Sequence, residues 1–212
     1  ILKRLSRKKL KVGHAGTLDP LATGVMIICT GKATKLIESF QYQTKEYIAT
    51  IQLGATTPSY DLETEIDATY PYEHVTREGV ENVLKQFIGS IQQIPPAYSA
   101  CKIDGKRAYD LARKGQEVEL KPKELVIDEI ELIDYELPVI KIRVVCSKGT
   151  YIRALARDIG NALESGAHLT GLVRTRVGSI KLEDCIGVDA INELIDHAEI
   201  TDEEALNEKK KN

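Results

Sequence analysis

Within Gly13-His14-Ala15-Gly16-Thr17-Leu18-Asp19-Pro20 one ionisable acid, Asp19, stands five residues after a histidine and directly before a proline. Gly13, Gly16 and Gly24 permit backbone conformations and close approaches that a Cβ resists. A carboxylate in such a loop, just before the apolar run Val25-Met26-Ile27-Ile28-Cys29, is placed to act as a nucleophile or general base. These facts alone leave open the plainer alternative of an Asx-turn acid that merely caps the loop. A phosphate-binding P-loop fails on spacing, because Gly24 and Gly31-Lys32 are seven positions apart rather than five and Ala33 stands where Ser or Thr is required. His14, beside a carboxylate, also has the chemistry of a hydrolase base.

The surrounding pattern says what holds this loop. Residues 1–11 read as a basic amphipathic helix, 13–24 as loop, 25–29 as a strand, 31–40 as a short helix and 47–53 as a strand. Thr76 is a plausible N-cap for a helix that places Val80, Val83, Leu84, Phe87 and Ile88 on one face and ends at Gly89. Lys106–Lys114 reads as a helix closed by Gly115, and strands are expected at 125–133 and 139–146. In 150–164, Ile152, Leu155, Ala156, Ile159 and Leu163 form an apolar stripe, while Arg153 and Arg157 lie one turn apart on another face. Strands at 169–177 and 179–182 and a helix near 189–197 follow. This order has no regular βαβ rhythm, so it predicts an α+β fold with a central mixed, largely antiparallel sheet flanked by helices and loops.

With 212 residues, 42% hydrophobic and 29% charged, the chain fits one soluble domain or one with a small appendage. No apolar run reaches the ~20 residues of a membrane helix, and no secretory signal is present, so a cytoplasmic location is expected. The four cysteines and four histidines lack metal-ligand spacing, and the cysteines read as buried hydrophobes. No metal or cofactor is expected. Net charge is −3, yet Lys3, Arg4, Arg7, Lys8, Lys9 and Lys11 crowd the start while acids gather at 63–67, 128–136 and 199–208. A chain acidic overall can still present one basic face to phosphate.

Taken whole, Gly-His-Ala-Gly-Thr-Leu-Asp-Pro-Leu-Ala-Thr-Gly at 13–24 resembles the catalytic motif of the TruB family, the bacterial tRNA pseudouridine-55 synthases. The likeness continues through Gly31-Lys32-Ala33-Thr34-Lys35, Lys45-Glu46-Tyr47 and Leu53-Gly54-x-x-Thr57-x-x-Tyr60-Asp61. It runs on in Gln93-Ile94-Pro95-Pro96-Ala97-Tyr98-Ser99-Ala100, in Ser147-Lys148-Gly149-Thr150-Tyr151-Ile152-Arg153, and in Gly166-Ala167-His168-Leu169-x-x-Leu172-x-Arg174-Thr175. It spans about residue 11 to about residue 190 and implies the pseudouridine synthase fold.

The resemblance also implies roles. Asp19 would be the catalytic carboxylate, Arg153 the arginine paired with it, and Asp61 the acid holding that arginine. Tyr47 would stack on the target base and shuttle a proton, and Tyr151 and Leu172 would line the uracil pocket. His14 would fill the space left by a flipped uridine, recovering part of the few kcal/mol that flipping costs. Lys35 resembles a structural or phosphate-facing lysine. Lys3–Lys11, Lys102, Lys106, Arg107, Arg174 and Arg176 would supply phosphate contacts. The implied partner is the T-stem-loop of tRNA, bound by a monomer with no membrane attachment.

Two departures from the family pattern stand out. An opening strand with Lys-Pro-x-Gly-x-Thr-Ser is absent, which suggests a missing natural N-terminus. Residues 1–184 are expected to form the catalytic domain, and 185–212 a short helix and tail with no recognisable PUA domain. Two alternatives remain: the guide-RNA-dependent pseudouridylase subunit, disfavoured by the intact Asp-Pro-Leu-Ala-Thr-Gly segment, and a tRNA-folding RNA chaperone, whose mark would be a lost acid.

Overall fold

The computed structural model describes residues 10–99, 102–103, 106–107 and 120–197. In chain order it begins with β1 (Val12–His14), β2 (Ala22–Gly24) and β3 (Ile28–Thr30). A 3-10 turn at Gly31–Leu36 leads into α1 (Ile37–Tyr42), followed by β4 (Lys45–Leu53), β5 (Ala55–Thr56) and β6 (Ala68–Thr69). Next come α2 (Arg77–Lys85), β7 (Gly89–Gln93), β8 (Lys102–Ile103) and β9 (Lys106–Arg107). The remainder is β10 (Lys123–Glu136), β11 (Val139–Cys146), α3 (Ile152–Ala162), β12 (Ala167–Val177), β13 (Ile180–Lys181) and α4 (Val188–His197).

The main sheet runs β13-β12-β4-β11-β10-β7, with every neighbour antiparallel, and β2 joins the outer side of β12 in parallel. The expected α+β fold with a mixed, largely antiparallel sheet is therefore present. Its periodicities explain the core. Ala49, Ile51 and Leu53 of β4 and Ile140, Ile142, Val144 and Cys146 of β11 point to one buried face. Ile152, Leu155, Ala156 and Ile159 of α3 meet that face, as do Val80, Val83 and Leu84 of α2. Leu155 and Ile159 are fully buried, each contributing roughly 1.5–3 kcal/mol relative to exposure. Thr76 caps α2 as expected, its hydroxyl accepting from Gly79 N at 3.0 Å.

Several expectations need correction. The 13–24 segment is not all loop, since it holds β1 and β2. The apolar run 25–29 is a strand only from Ile28. Val25 instead bonds Arg174, donating its N–H to the Arg174 carbonyl at 2.8 Å and accepting from Arg174 Nε at 2.7 Å. Burial alone cannot distinguish such a tied loop from a ladder strand. Lys106 and Arg107, assigned to a helix, lie in β9 opposite Lys102 and Ile103. Residues 108–114 of that expected helix, and residues 1–9 of the first, lie outside the described residues. Cys29 and Cys146 are buried, but Cys185 is exposed.

Candidate active site

Asp19 sits in a turn closed by its own backbone: the Asp19 carbonyl accepts from Ala22 N at 2.9 Å. Its side chain is thus left for another partner. Both carboxylate oxygens accept from Arg153, Oδ2 from Nε at 2.9 Å and Oδ1 from Nη2 at 3.1 Å. This two-pronged geometry is the one in which a guanidinium fixes a carboxylate best.

Arg153 enters from the first turn of α3 and is 3% exposed. Its Nη1 donates to the Ser59 carbonyl at 3.3 Å and lies 3.4 Å from Asp61 Oδ2. A buried guanidinium needs such compensation. Asp61 is itself held, with Oδ1 accepting from Glu63 N at 2.9 Å and its carbonyl from Thr57 Oγ1 at 2.7 Å. The turn that presents it carries Tyr60 at φ 62°, an uncommon conformation for a bulky residue. Arg157, one turn along α3, braces that turn with its guanidinium 4.8 Å from the Tyr60 ring centroid. It also donates to the Ile94 carbonyl at 3.2 Å.

The Asp19 loop is moored from below by Arg174 of β12. Besides its bond to Val25, Arg174 donates to the Gly16 carbonyl at 3.4 Å. At Gly24, φ is +104° and a Cβ would lie 2.2 Å from the Arg174 carbonyl oxygen. Only glycine lets β2 come this close to β12.

These parts enclose a cleft of about 270 Å3 lined by Gly16–Asp19, Gln41, Lys45, Tyr47, Lys148–Arg153, Leu172 and Arg174. Asp19, Tyr47, Tyr151, Arg153 and Leu172, named from sequence, thus meet in one place, with Asp61 directly behind Arg153. Gln93, fully buried, fixes Tyr151: its Oε1 accepts from Tyr151 N at 2.9 Å and its Nε2 donates to the Tyr151 carbonyl at 3.2 Å. Burial, then Cys146, push the Tyr47 hydroxyl above its ordinary range, against an opposing pull from Arg174. Tyr47 therefore carries its proton at neutral pH.

Two of the named residues lie apart. Lys35 is exposed in the 3-10 turn and does not line the cleft. His14, on β1, lies outside the lining as well, and its buried Nδ1 has no hydrogen-bond partner. Arg174 is a correction of a different kind: at 2% exposure it holds the loop and offers no open phosphate contact. Arg176 is turned to the Gly178 carbonyl, 3.0 Å, and to Glu46, 3.5 Å. Lys45 and Lys148 stand in the sequence motifs without an expected role, and Gln41 carries no sequence signal. Lys45 carried a signal, since period two puts it on the face of Tyr47, Ala49 and Ile51. Its ammonium is buried and donates to the Gln41 and Gln43 carbonyls.

A model for the N-terminal domain of TruB family pseudouridylate synthases matches residues 3–152, and one for the tRNA pseudouridylate synthase B C-terminal domain matches 153–209. The chain belongs to the TruB family of pseudouridylate synthases. Relatives named tRNA pseudouridine synthase B include one from Phocaeicola vulgatus, 74% identical over 98% of this chain and 88% of its own length. One from Bacteroides fragilis is 77% identical over 93% and 85%. Among solved structures, a chain in a Cbf5-Nop10-Gar1 complex superposes with a TM-score of 0.65 at 30% identity, over 88% of this chain and 46% of that one. A chain of an H/ACA RNP bound to a substrate RNA containing 2'-deoxyuridine gives 0.61 at 28%, over 88% and 44%. This TruB chain therefore spans less than half of those solved chains, and the two family models meet at the start of α3, inside one continuous core.

Proposed function

We propose that this TruB-family chain isomerises uridine to pseudouridine in the T-loop of tRNA, at position 55, with Asp19 as the catalytic carboxylate. One observation carries the assignment of Asp19: both its oxygens are fixed by a buried arginine at the wall of a cleft that also holds Tyr47, Tyr151 and Leu172. At about 270 Å3 the cleft lies near the lower end of small-molecule sites, room for one extruded nucleoside and too little for a paired stem.

In the proposed reaction Asp19 acts at the ribose, by attack at C1′ or by removal of a sugar proton, as the N1–C1′ bond breaks. The freed uracil turns against Tyr47 and Leu172, and C5 bonds to C1′ with displacement of the Asp19 oxygen or, by the other route, with return of the sugar proton from Asp19. The C5 proton leaves and N1 gains one, so no oxidant or co-reactant is needed. Tyr47, protonated at neutral pH, is suited to stack on the base and relay that proton. Arg153 orients Asp19 and Asp61 orients Arg153. His14 is the residue proposed to occupy the stack once the uridine leaves it. Lys35 is retained only as an outlying phosphate contact.

We also propose that the enzyme works as a cytoplasmic monomer without cofactor, with 1–184 as the catalytic unit. No helix among the described residues is long and apolar enough to cross a membrane. The guide-RNA-dependent reading gives way to this one because relatives at 74–77% identity over nearly the whole chain bear the name of a tRNA enzyme. The test is to incubate the full-length protein with unmodified tRNA transcript, without guide RNA or other protein, and map pseudouridine at single-nucleotide resolution. The account expects one site, in the T-loop; no product without a guide would overturn it.

A further inference from the structure

One rim of the cleft is built from residues that the proposed reaction does not use. The end of α1 supplies Gln41 and the segment between β11 and α3 supplies Lys148, while Tyr42, the last residue of α1, stands just outside the lining and reaches it through Lys148. Tyr42 is 63% exposed, unusual for an aromatic ring beside a cleft. The Lys148 ammonium lies 3.6 Å from its ring centroid, over one face, and Tyr42 stays largely exposed. Lys148 is itself exposed and lines the cleft. Lys45 and Arg174, both buried and bonded to backbone carbonyls, add positive charge behind this side without an open contact, and among the described residues neither Lys45 nor Lys148 has a carboxylate partner. The opposite chemistry, the Asp19 and Asp61 carboxylates, gathers around Arg153. The cleft is therefore polarised, and a nucleotide with its sugar at Asp19 has its phosphates drawn towards the lysines.

We infer that Tyr42 and Lys148 form the seat for the nucleotide next to the extruded uridine, its base stacked on the Tyr42 ring and its phosphate on the Lys148 ammonium. An exposed aromatic beside an exposed cation is the combination that binds unpaired nucleotides without reading their sequence. The preformed cation–π contact holds the ring and the ammonium together before RNA arrives. This inference rests on the uridine-isomerase reading above and adds to it a subsite outside the reacting group.

The test uses the full-length protein and a T-stem-loop RNA hairpin, intact or with an abasic residue on either side of the target uridine. Pseudouridine formation by the parent on the intact hairpin is measured first, and affinities follow by fluorescence anisotropy. Tyr42→Ala and Lys148→Ala should each weaken hairpin binding about tenfold, while Tyr42→Phe, which keeps the ring, should not. Lys85→Ala, an exposed lysine of α2, is the control for general charge loss. In the parent, the abasic change on one flank should itself cost about tenfold, and in Tyr42→Ala the same change should cost nothing further. Additive losses at both flanks, with an active parent, would overturn the subsite alone. A parent that forms no pseudouridine would overturn the subsite together with the reading beneath it.

Discussion

Arg153 meets Asp19 across most of the chain, Nε to Oδ2 at 2.9 Å and Nη2 to Oδ1 at 3.1 Å, while its third nitrogen faces Asp61 at 3.4 Å. The guanidinium side chain is 4% exposed and that of Asp61 3%, whereas Asp19 keeps a third of its surface open. One carboxylate of the pair thus serves as a buried anchor and the other as the group offered to the cleft. This asymmetry is why Asp19, rather than Asp61, carries the proposed chemistry.

Removing the arginine should cost stability as well as activity. Arg153→Met strands Asp61 without its cation, and breaking a buried pair typically costs about 3–5 kcal/mol. Urea unfolding should show a loss of that order, and Arg153→Met combined with Asp61→Asn should recover part of it. Equal stability in parent and single variant would contradict the buried-anchor role.

Gly24→Ala should disturb the loop from below. The added methyl meets the Arg174 carbonyl at 2.2 Å in a backbone conformation L residues rarely adopt, so a loss of at least about 2 kcal/mol is expected. Gly187→Ala, where a Cβ would meet nothing within 4 Å, is the comparison and should melt like the parent.

Gln93→Leu removes both hydrogen bonds to the Tyr151 backbone. The two orphaned groups should lower stability by about 1–3 kcal/mol in thermal melts, and turnover should fall too, because Tyr151 immediately precedes the helix bearing Arg153. Unchanged turnover with a lowered Tm would assign Gln93 to folding alone.

Lys45 gives a pH signature. Burial, followed by repulsion from Arg174, lowers its ammonium to about 8 from the usual 10.5. Above pH 8 the folded protein sheds a proton that the unfolded chain still holds, so stability rises relative to a Lys45→Met variant as pH climbs from about 8 to about 10.5. The gain should be on the order of 3 kcal/mol, read from paired urea titrations. A flat difference across this window would show that Lys45 titrates as an exposed lysine.

Much of this arrangement was legible before any coordinates. The apolar stripe of 152–163 and the alternation of 139–146 are periodic, and periodicity survives translation into a packed layer. The cleft residues were found through motif likeness, since nothing local to Asp19 or Tyr47 says that they meet. What stayed hidden depends on three-dimensional partners. Arg174 reads as a surface cation until β2 closes over it, and Val25 reads as strand until its bonds to Arg174 are seen. Lys148 and Tyr42 belong to segments more than a hundred residues apart, so their contact left no trace in spacing.

The central claim is that Asp19 is the reacting group and not a turn acid. Asp19→Asn keeps the size of the side chain and leaves the turn intact, because Ala22 N is held by the backbone carbonyl. Single-turnover pseudouridine formation on a T-stem-loop RNA, measured alongside binding, tests it most directly. The account predicts near-parental affinity with product formation abolished, a loss of at least about 1,000-fold. Turnover of Asp19→Asn within a few-fold of the parent would contradict it.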